Sequence, residues 1–128
     1  PMYATEGAAG VDIRASKSMH IGPHDVLAVP TGIRLEVPVG YEMQIRSRSG
    51  LALKHGLYVI NAPGTIDCDY RGEIMVLLHN TQDGYMIHRG DRIAQMVLSP
   101  IIQACFVRAR HLGATERGDG GFGSTGNK

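Results

Sequence analysis

Two short segments concentrate the side chains best suited to chemistry. Arg46-Ser47-Arg48-Ser49-Gly50 sets two guanidiniums and two hydroxyls beside a glycine, where the pattern predicts one short helix near Ser49 to His55. Forked guanidinium contacts and a helix N-terminus could together grip an anion. The same residues also suit a solvated strand end followed by an N-cap. The second segment is Asn61-Ala62-Pro63-Gly64-Thr65-Ile66-Asp67-Cys68-Asp69-Tyr70. Asn61 and Pro63-Gly64 predict a hairpin turn, and two carboxylates and a tyrosine follow at once. Its plainer reading is a polar hairpin with Tyr70 packed on its edge. Gln95 stands in the otherwise apolar run Ile93-Ala94-Gln95-Met96-Val97, where a strand residue with a satisfied amide is the default.

Other patterns point to little. Gly118-x-Gly120-x-x-Gly123 has the spacing of a dinucleotide-binding loop, but no βαβ unit precedes it and no helix can follow in five residues. Those glycines could still turn consecutive N–H groups toward phosphates. No G-x-x-x-x-G-K-[ST] loop is present, which argues against a P-loop enzyme. Arg89-Gly90-Asp91 reads as a turn. His20 and His24 are four apart, but Gly22-Pro23 between them forbids the helix that would align them as metal ligands. Cys68 and Cys105 have neither CxxC spacing nor enough company for a disulfide framework, so a reducing, cytoplasmic setting is expected.

The elements that must carry these residues read as strands. Ile33, Leu35 and Val37 alternate with Arg34 and Glu36, and Val37-Pro38-Val39-Gly40 turns the chain. Met43 and Ile45 alternate with Glu42, Gln44 and Arg46. Ile74 to Leu78 is apolar on both faces, as a strand buried on both sides would be. Tyr85 to Ile87, Ile93 to Leu98 and Ile101 to Val107 are further strands, the last two broken at Ser99-Pro100. With 17 Gly and 6 Pro marking turns, the class is all-β, a jelly-roll-like barrel or sandwich with one short helix. Residues 1–112 form the β-barrel core. From 113 to 128 the chain is a glycine-rich arm in which Phe122 is the one large apolar side chain, too poor to pack a core of its own.

With 128 residues, 43% hydrophobic and 20% charged, one soluble domain is expected. A net charge of +1 gives no bulk electrostatic case for nucleic acid or membrane as partner. No apolar run approaches the ~18 residues of a membrane helix, and no signal peptide is read at the start.

Together the segments resemble the trimeric deoxyuridine triphosphatases (dUTP pyrophosphatases). Five family blocks occur in order. They are Ala9-Gly10-Val11-Asp12-Ile13-Arg14-Ala15, Arg48-Ser49-Gly50-Leu51-Ala52, and Gly64 through Glu73. Gly90-Asp91-Arg92-Ile93-Ala94-Gln95 and Arg117 through Gly126 complete the set. Any one block is weak; five in register form a specific signal.

The resemblance implies hydrolysis of dUTP to dUMP and pyrophosphate by Mg²⁺-assisted water attack on the α-phosphorus. Such an activity keeps uracil out of DNA and supplies dUMP for thymidylate synthesis. By the same resemblance Asp67 and Gln95 are catalytic, with Asp67 activating the water. Ser49 and Gln95 hold phosphate oxygens and the water, Arg48 adds charge, Gly50 is among the substrate-binding residues, and Asp12 holds waters of the magnesium shell. Asn61, Gly64, Thr65 and Ile66 read uracil mostly through backbone groups, with Met75 beside them. Tyr70 lies under the deoxyribose and rejects a 2′-hydroxyl. Phe122 stacks on the base while Arg117, Ser124 and Thr125 reach the phosphates, and Gly123 is among the substrate-binding residues. The implied assembly is a homotrimer with sites shared between subunits, each arm lying over a neighbour's site.

Two features depart from the family pattern. Ser47 stands where the family usually has Pro, and a further strand usually precedes Pro1 to Thr5. The nearest rival is the fold-related dCTP deaminase, against which Asp67 and the glycine-rich fifth block weigh. A nucleotide-sensing trimer without turnover is the rival from another class.

Overall fold

Where apolar and polar residues alternate, the chain pairs into antiparallel strands. The computed structural model describes residues 1–124 and 126. Its strands are β1 (Val11–Arg14), β2 (Met19–Ile21), β3 (Val26–Pro30), β4 (Tyr41–Arg46), β5 (Leu57–Val59), β6 (Gly64–Ile66), β7 (Met75–Asn80), β8 (Tyr85–Ile87) and β9 (Arg92–Pro100). They form a four-stranded sheet in the order β1-β9-β4-β6, a three-stranded sheet β3-β7-β5 and a ribbon β2-β8. Alternate side chains of all three enter one core: Ile13, Ile45, Ala94 and Met96, then Val29, Leu57, Val59, Val76 and Leu78, then Ile21 and Ile87. Each fully buried Ile, Leu or Val contributes about 1.5–3 kcal/mol. This is the all-β, jelly-roll-like layering expected. No helix among the described residues is long and apolar enough to cross a membrane.

The expected helix is α1 (Ser49–His55). It ends at Gly56, whose φ of 62° is the left-handed conformation that glycine adopts freely, and Gly56 N–H bonds back to Ala52 O at 3.1 Å. Lys54 in its last turn complements the helix dipole. Between β1 and β9 the register shifts, Ile13 facing Ala94 while Arg14 faces Arg92. That bulge lets the successive residues Ile93 and Ala94 both be buried.

Four strand expectations are corrected. Ile33 to Val37 keeps the alternation of burial but is no strand, because Thr31 intervenes. The Thr31 hydroxyl donates to Ile74 O at 2.7 Å and accepts from Ile33 N at 3.1 Å, so that only the bond from Ile74 N to Ile33 O, at 2.9 Å, is left of the next rung. Ser99-Pro100 does not break β9, since Ser99 and Pro100 still face Glu42 and Tyr41 on β4. Pro100 sits at the last rung, where a missing N–H costs least. Ile101 to Val107 forms no strand, because no strand among the described residues pairs with it; Ile102 and Phe106 are 98% and 94% exposed. Ile74 to Leu78 is buried on one face only: Val76 and Leu78 enter the core, while Met75 is exposed and Leu77 half-buried.

Candidate functional site

Asp12, on β1, lies opposite Gln95 of β9, and Gln95 lies opposite Arg46 of β4. Residues directly opposed in an antiparallel sheet share a face, so the three form one polar row. Two arginines converge on Asp12: Arg92 Nη1 donates to Oδ2 at 3.2 Å, and Arg48 Nε lies 3.2 Å from Oδ1. The Arg48 contact is charge against charge without hydrogen-bond alignment, so the buried Oδ1 accepts no hydrogen bond. Arg48 Nη1 donates instead to Arg92 O at 2.9 Å, which fixes the guanidinium at the start of α1. Ser49 and Gly50 follow, exposed, in the first turn. No side chain caps that turn, contrary to the N-cap alternative. Ser47 Oγ accepts from Val59 N at 2.9 Å, so the serine ties the segment leading into the helix to β5.

The second group of candidates lies around β6. The Asn61-to-Ile66 segment turns as expected, with Ala62 N bonded to Val59 O at 3.1 Å. It is not a paired hairpin, because β5 pairs with β7 and β6 pairs with β4; the turn passes from one sheet to another. As a result β6 is an edge strand with one side open, and open strand edges offer backbone donors and acceptors to a ligand. Asn61 covers Gly64, where a Cβ would lie 3.2 Å from Asn61 Nδ2. A cleft of about 240 Å³ is lined by Asn61, Thr65, Ile66, Asp67, Tyr70, Glu73, Met75 and Leu77. Asp67 is exposed and belongs to none of the three ion pairs among the described residues. Its carbonyl accepts from Tyr70 N at 3.2 Å, and Tyr70 Oη donates to Glu73 O at 3.0 Å.

The arm makes local turns of its own. Arg117 Nε donates to Gly120 O at 2.8 Å, Ser124 N bonds Gly121 O at 3.0 Å, and Phe122 is fully exposed. Gly118 and Gly123 have φ of 51° and 88°. Thr125 lies outside the described residues. One protomer therefore brings Asp12, Arg48 and Gln95 together, gathers Asn61 through Tyr70 with Met75 elsewhere, and leaves the arm apart from both.

Among the described residues no three His, Cys, Asp or Glu side chains cluster into a metal cage. The buried, unbonded Asp12 Oδ1 suits a hard cation that keeps waters and is held mainly by ligand oxygens. Sequence reasoning missed Arg92, the second arginine on Asp12; its place in Gly90-Asp91-Arg92-Ile93-Ala94-Gln95 was the available signal.

Arginines gathered around a carboxylate on one sheet and a small aromatic-walled cleft beside an open strand edge are together the polar chemistry of a nucleotide-acting protein. The comparisons agree with this class. The dUTPase family model matches residues 1–126. The deoxyuridine 5′-triphosphate nucleotidohydrolase of Desulfotalea psychrophila is 57% identical over 98% of this chain and 86% of its own length. That of Chlamydia pneumoniae is 55% identical over 98% and 90%. Among solved structures, the Staphylococcus bacteriophage 80alpha dUTPase with dUPNHPP superposes with a TM-score of 0.91 at 26% identity, covering 98% of this chain and 90% of that one. The dUTPase of Streptococcus mutans gives 0.79 at 29%, covering 83% and 88%. This chain belongs to the dUTPase family.

Proposed function

We propose that this chain hydrolyses dUTP to dUMP and pyrophosphate. The observation that carries the reading is the Asp67–Tyr70 turn, an exposed carboxylate with no cation partner among the described residues, beside an aromatic ring at the end of an open strand edge. Asp67 takes a proton from water as the water oxygen bonds to the α-phosphorus. The bond from that phosphorus to the bridging oxygen breaks, and pyrophosphate leaves. Gln95 and Ser49 hold the water and phosphate oxygens, Gly50 lets the phosphates approach the helix start, and Arg48 adds charge. Asp12 would hold Mg²⁺ through Oδ1 by way of water, and the ion would supply charge neutralisation of the triphosphate. A phage phi11 dUTPase structure describes coordination of a structural Mg(II) ion, which at 22% identity supports the fold alone.

Asn61, Gly64, Thr65 and Ile66 read uracil along the open edge of β6, with Met75 on the cleft wall. Tyr70 packs under deoxyribose and leaves no room for a 2′-hydroxyl. Phe122 covers the base, and Arg117, Gly123, Ser124 and Thr125 close over the phosphates, shedding water. These groups stand apart on one protomer, and the exposed apolar side chains Ile102, Phe106, Val107 and Leu112 lack cover within it. Both features support a homotrimer whose body, residues 1–112, lends its arm, 113–128, to a neighbour's site. The near balance of charge and the two free cysteines support a cytoplasmic enzyme with neither nucleic acid nor membrane as partner. Pyrophosphate release from dUTP, with dCTP and UTP as controls, tests the activity. Release is expected from dUTP alone; ammonia from dCTP, or nucleotide binding without turnover, would contradict it.

A further inference from the structure

We propose that Gly72 is a positioning residue for sugar discrimination, its missing side chain being the space that the Tyr70 ring occupies. The inference rests on the reading of Tyr70 as the surface beneath the sugar. A Cβ at Gly72 would overlap Oη and Cζ of Tyr70 and lie 2.9 Å from Cε2. The backbone itself does not call for glycine. Gly72 is absent from the positive-φ glycines, which include Gly32, Gly40, Gly56 and Gly90. Any L-residue could adopt its conformation, so what excludes a side chain is the ring.

The backbone carrying both residues is braced, so the ring is the part that yields. Arg71 Nη1 donates to Cys68 O at 2.7 Å and to Tyr70 O at 3.0 Å. The Glu73 carboxylate accepts from Gly32 N at 2.8 Å, and the next residue, Ile74, is 1% exposed. Tyr70, by contrast, is 44% exposed, and the bond from its Oη to Glu73 O, 3.0 Å, is the one an outward swing of the ring gives up. A methyl at position 72 therefore swings the ring outward by about 1 Å, into the space assigned to deoxyribose, and a misplacement of that size can cost about 100-fold in rate.

The test compares kcat/KM for dUTP and for UTP in the full-length protein, Gly72→Ala, Tyr70→Ala and the double variant. Gly72→Ala is expected to lower the dUTP value about 10- to 100-fold and to shrink the dUTP-to-UTP ratio about tenfold. In the Tyr70→Ala background the same change should do nothing further, because its effect passes through the ring. An unaltered ratio in Gly72→Ala, with an altered one in Tyr70→Ala, overturns the inference alone. A further loss of the same size in the double variant also overturns it. An unaltered ratio in Tyr70→Ala overturns the sugar reading and the inference with it. Should Gly72→Ala fail to fold, the double variant, which has no ring to clash, must fold; its failure counts against the inference.

Discussion

Replacing Asp67 by Asn separates chemistry from structure because the carboxylate is exposed and belongs to none of the ion pairs among the described residues. Its contribution to the turn runs through the main chain, where Tyr70 N donates to Asp67 O at 3.2 Å. Asn has the same shape and leaves that bond in place. Stability should stay within about 0.5 kcal/mol, the usual range for a surface change of this kind. For a domain of this size that is a Tm shift of no more than roughly 2–4 °C. Losing a positioned general base should cut kcat by about 10²–10⁴, which is about 2.7–5.4 kcal/mol of barrier. Affinity for a non-hydrolysable dUTP analogue should remain nearly intact. Pyrophosphate release at saturating dUTP, calorimetric melting and titration with the analogue read the three quantities. Near wild-type turnover would show that Asp67 is not the base. A Tm drop of many degrees would show that the carboxylate supports the fold, and lost activity would then say nothing about chemistry.

Four further outcomes follow from the same structure. The chain should sediment at about 41 kDa, three times its 13.8 kDa; a monomer at micromolar concentration would refute the shared site. Removing residues 117–128 should leave a folded trimer with almost no turnover, and full activity in that variant would remove the arm from the mechanism. Because the sequence has no Trp, Phe122→Trp adds a single reporter whose fluorescence should change with analogue and Mg²⁺ and much less with pyrophosphate. Asn80 is fully buried, donating from Nδ2 to Gly22 O and Asp83 O while Oδ1 accepts from Gln82 N. Asn80→Ala should therefore cost about 2–4 kcal/mol in chemical denaturation, and a loss below measurement error would refute that accounting.

Local chemistry made much of this legible. The helix at Ser49–His55, the turn before Tyr41 and the short strand Tyr85–Ile87 follow from nearby residues alone. What alternation cannot supply is the partner. Ile33, Leu35 and Val37 alternate as strand residues do, yet a single hydroxyl, that of Thr31, takes the carbonyl the ladder would use. Ile101 to Val107 has strand-like composition but, beyond the bond from Ile101 N to Gly40 O, no pairing strand among the described residues. The turn at Asn61 carries the residues of a hairpin, while its two arms pair with β7 and β4, choices made by residues far along the chain. Candidate site residues were legible as blocks, because spacing survives in sequence. The convergence of Arg48 and Arg92 on Asp12 was not, because it depends on the β1–β9 register.

The sharing of one site among copies is tested most directly by mixing two inactive chains. Asp67→Asn retains the arm, and the 117–128 truncation retains Asp67. Co-refolded in equal amounts, they should assemble at random into trimers, and about a quarter of the sites should then draw an intact carboxylate and an intact arm from different copies. Turnover should rise to about a quarter of wild type. If each site lies within one copy, every site keeps one defect, and the mixture would be no more active than its parts.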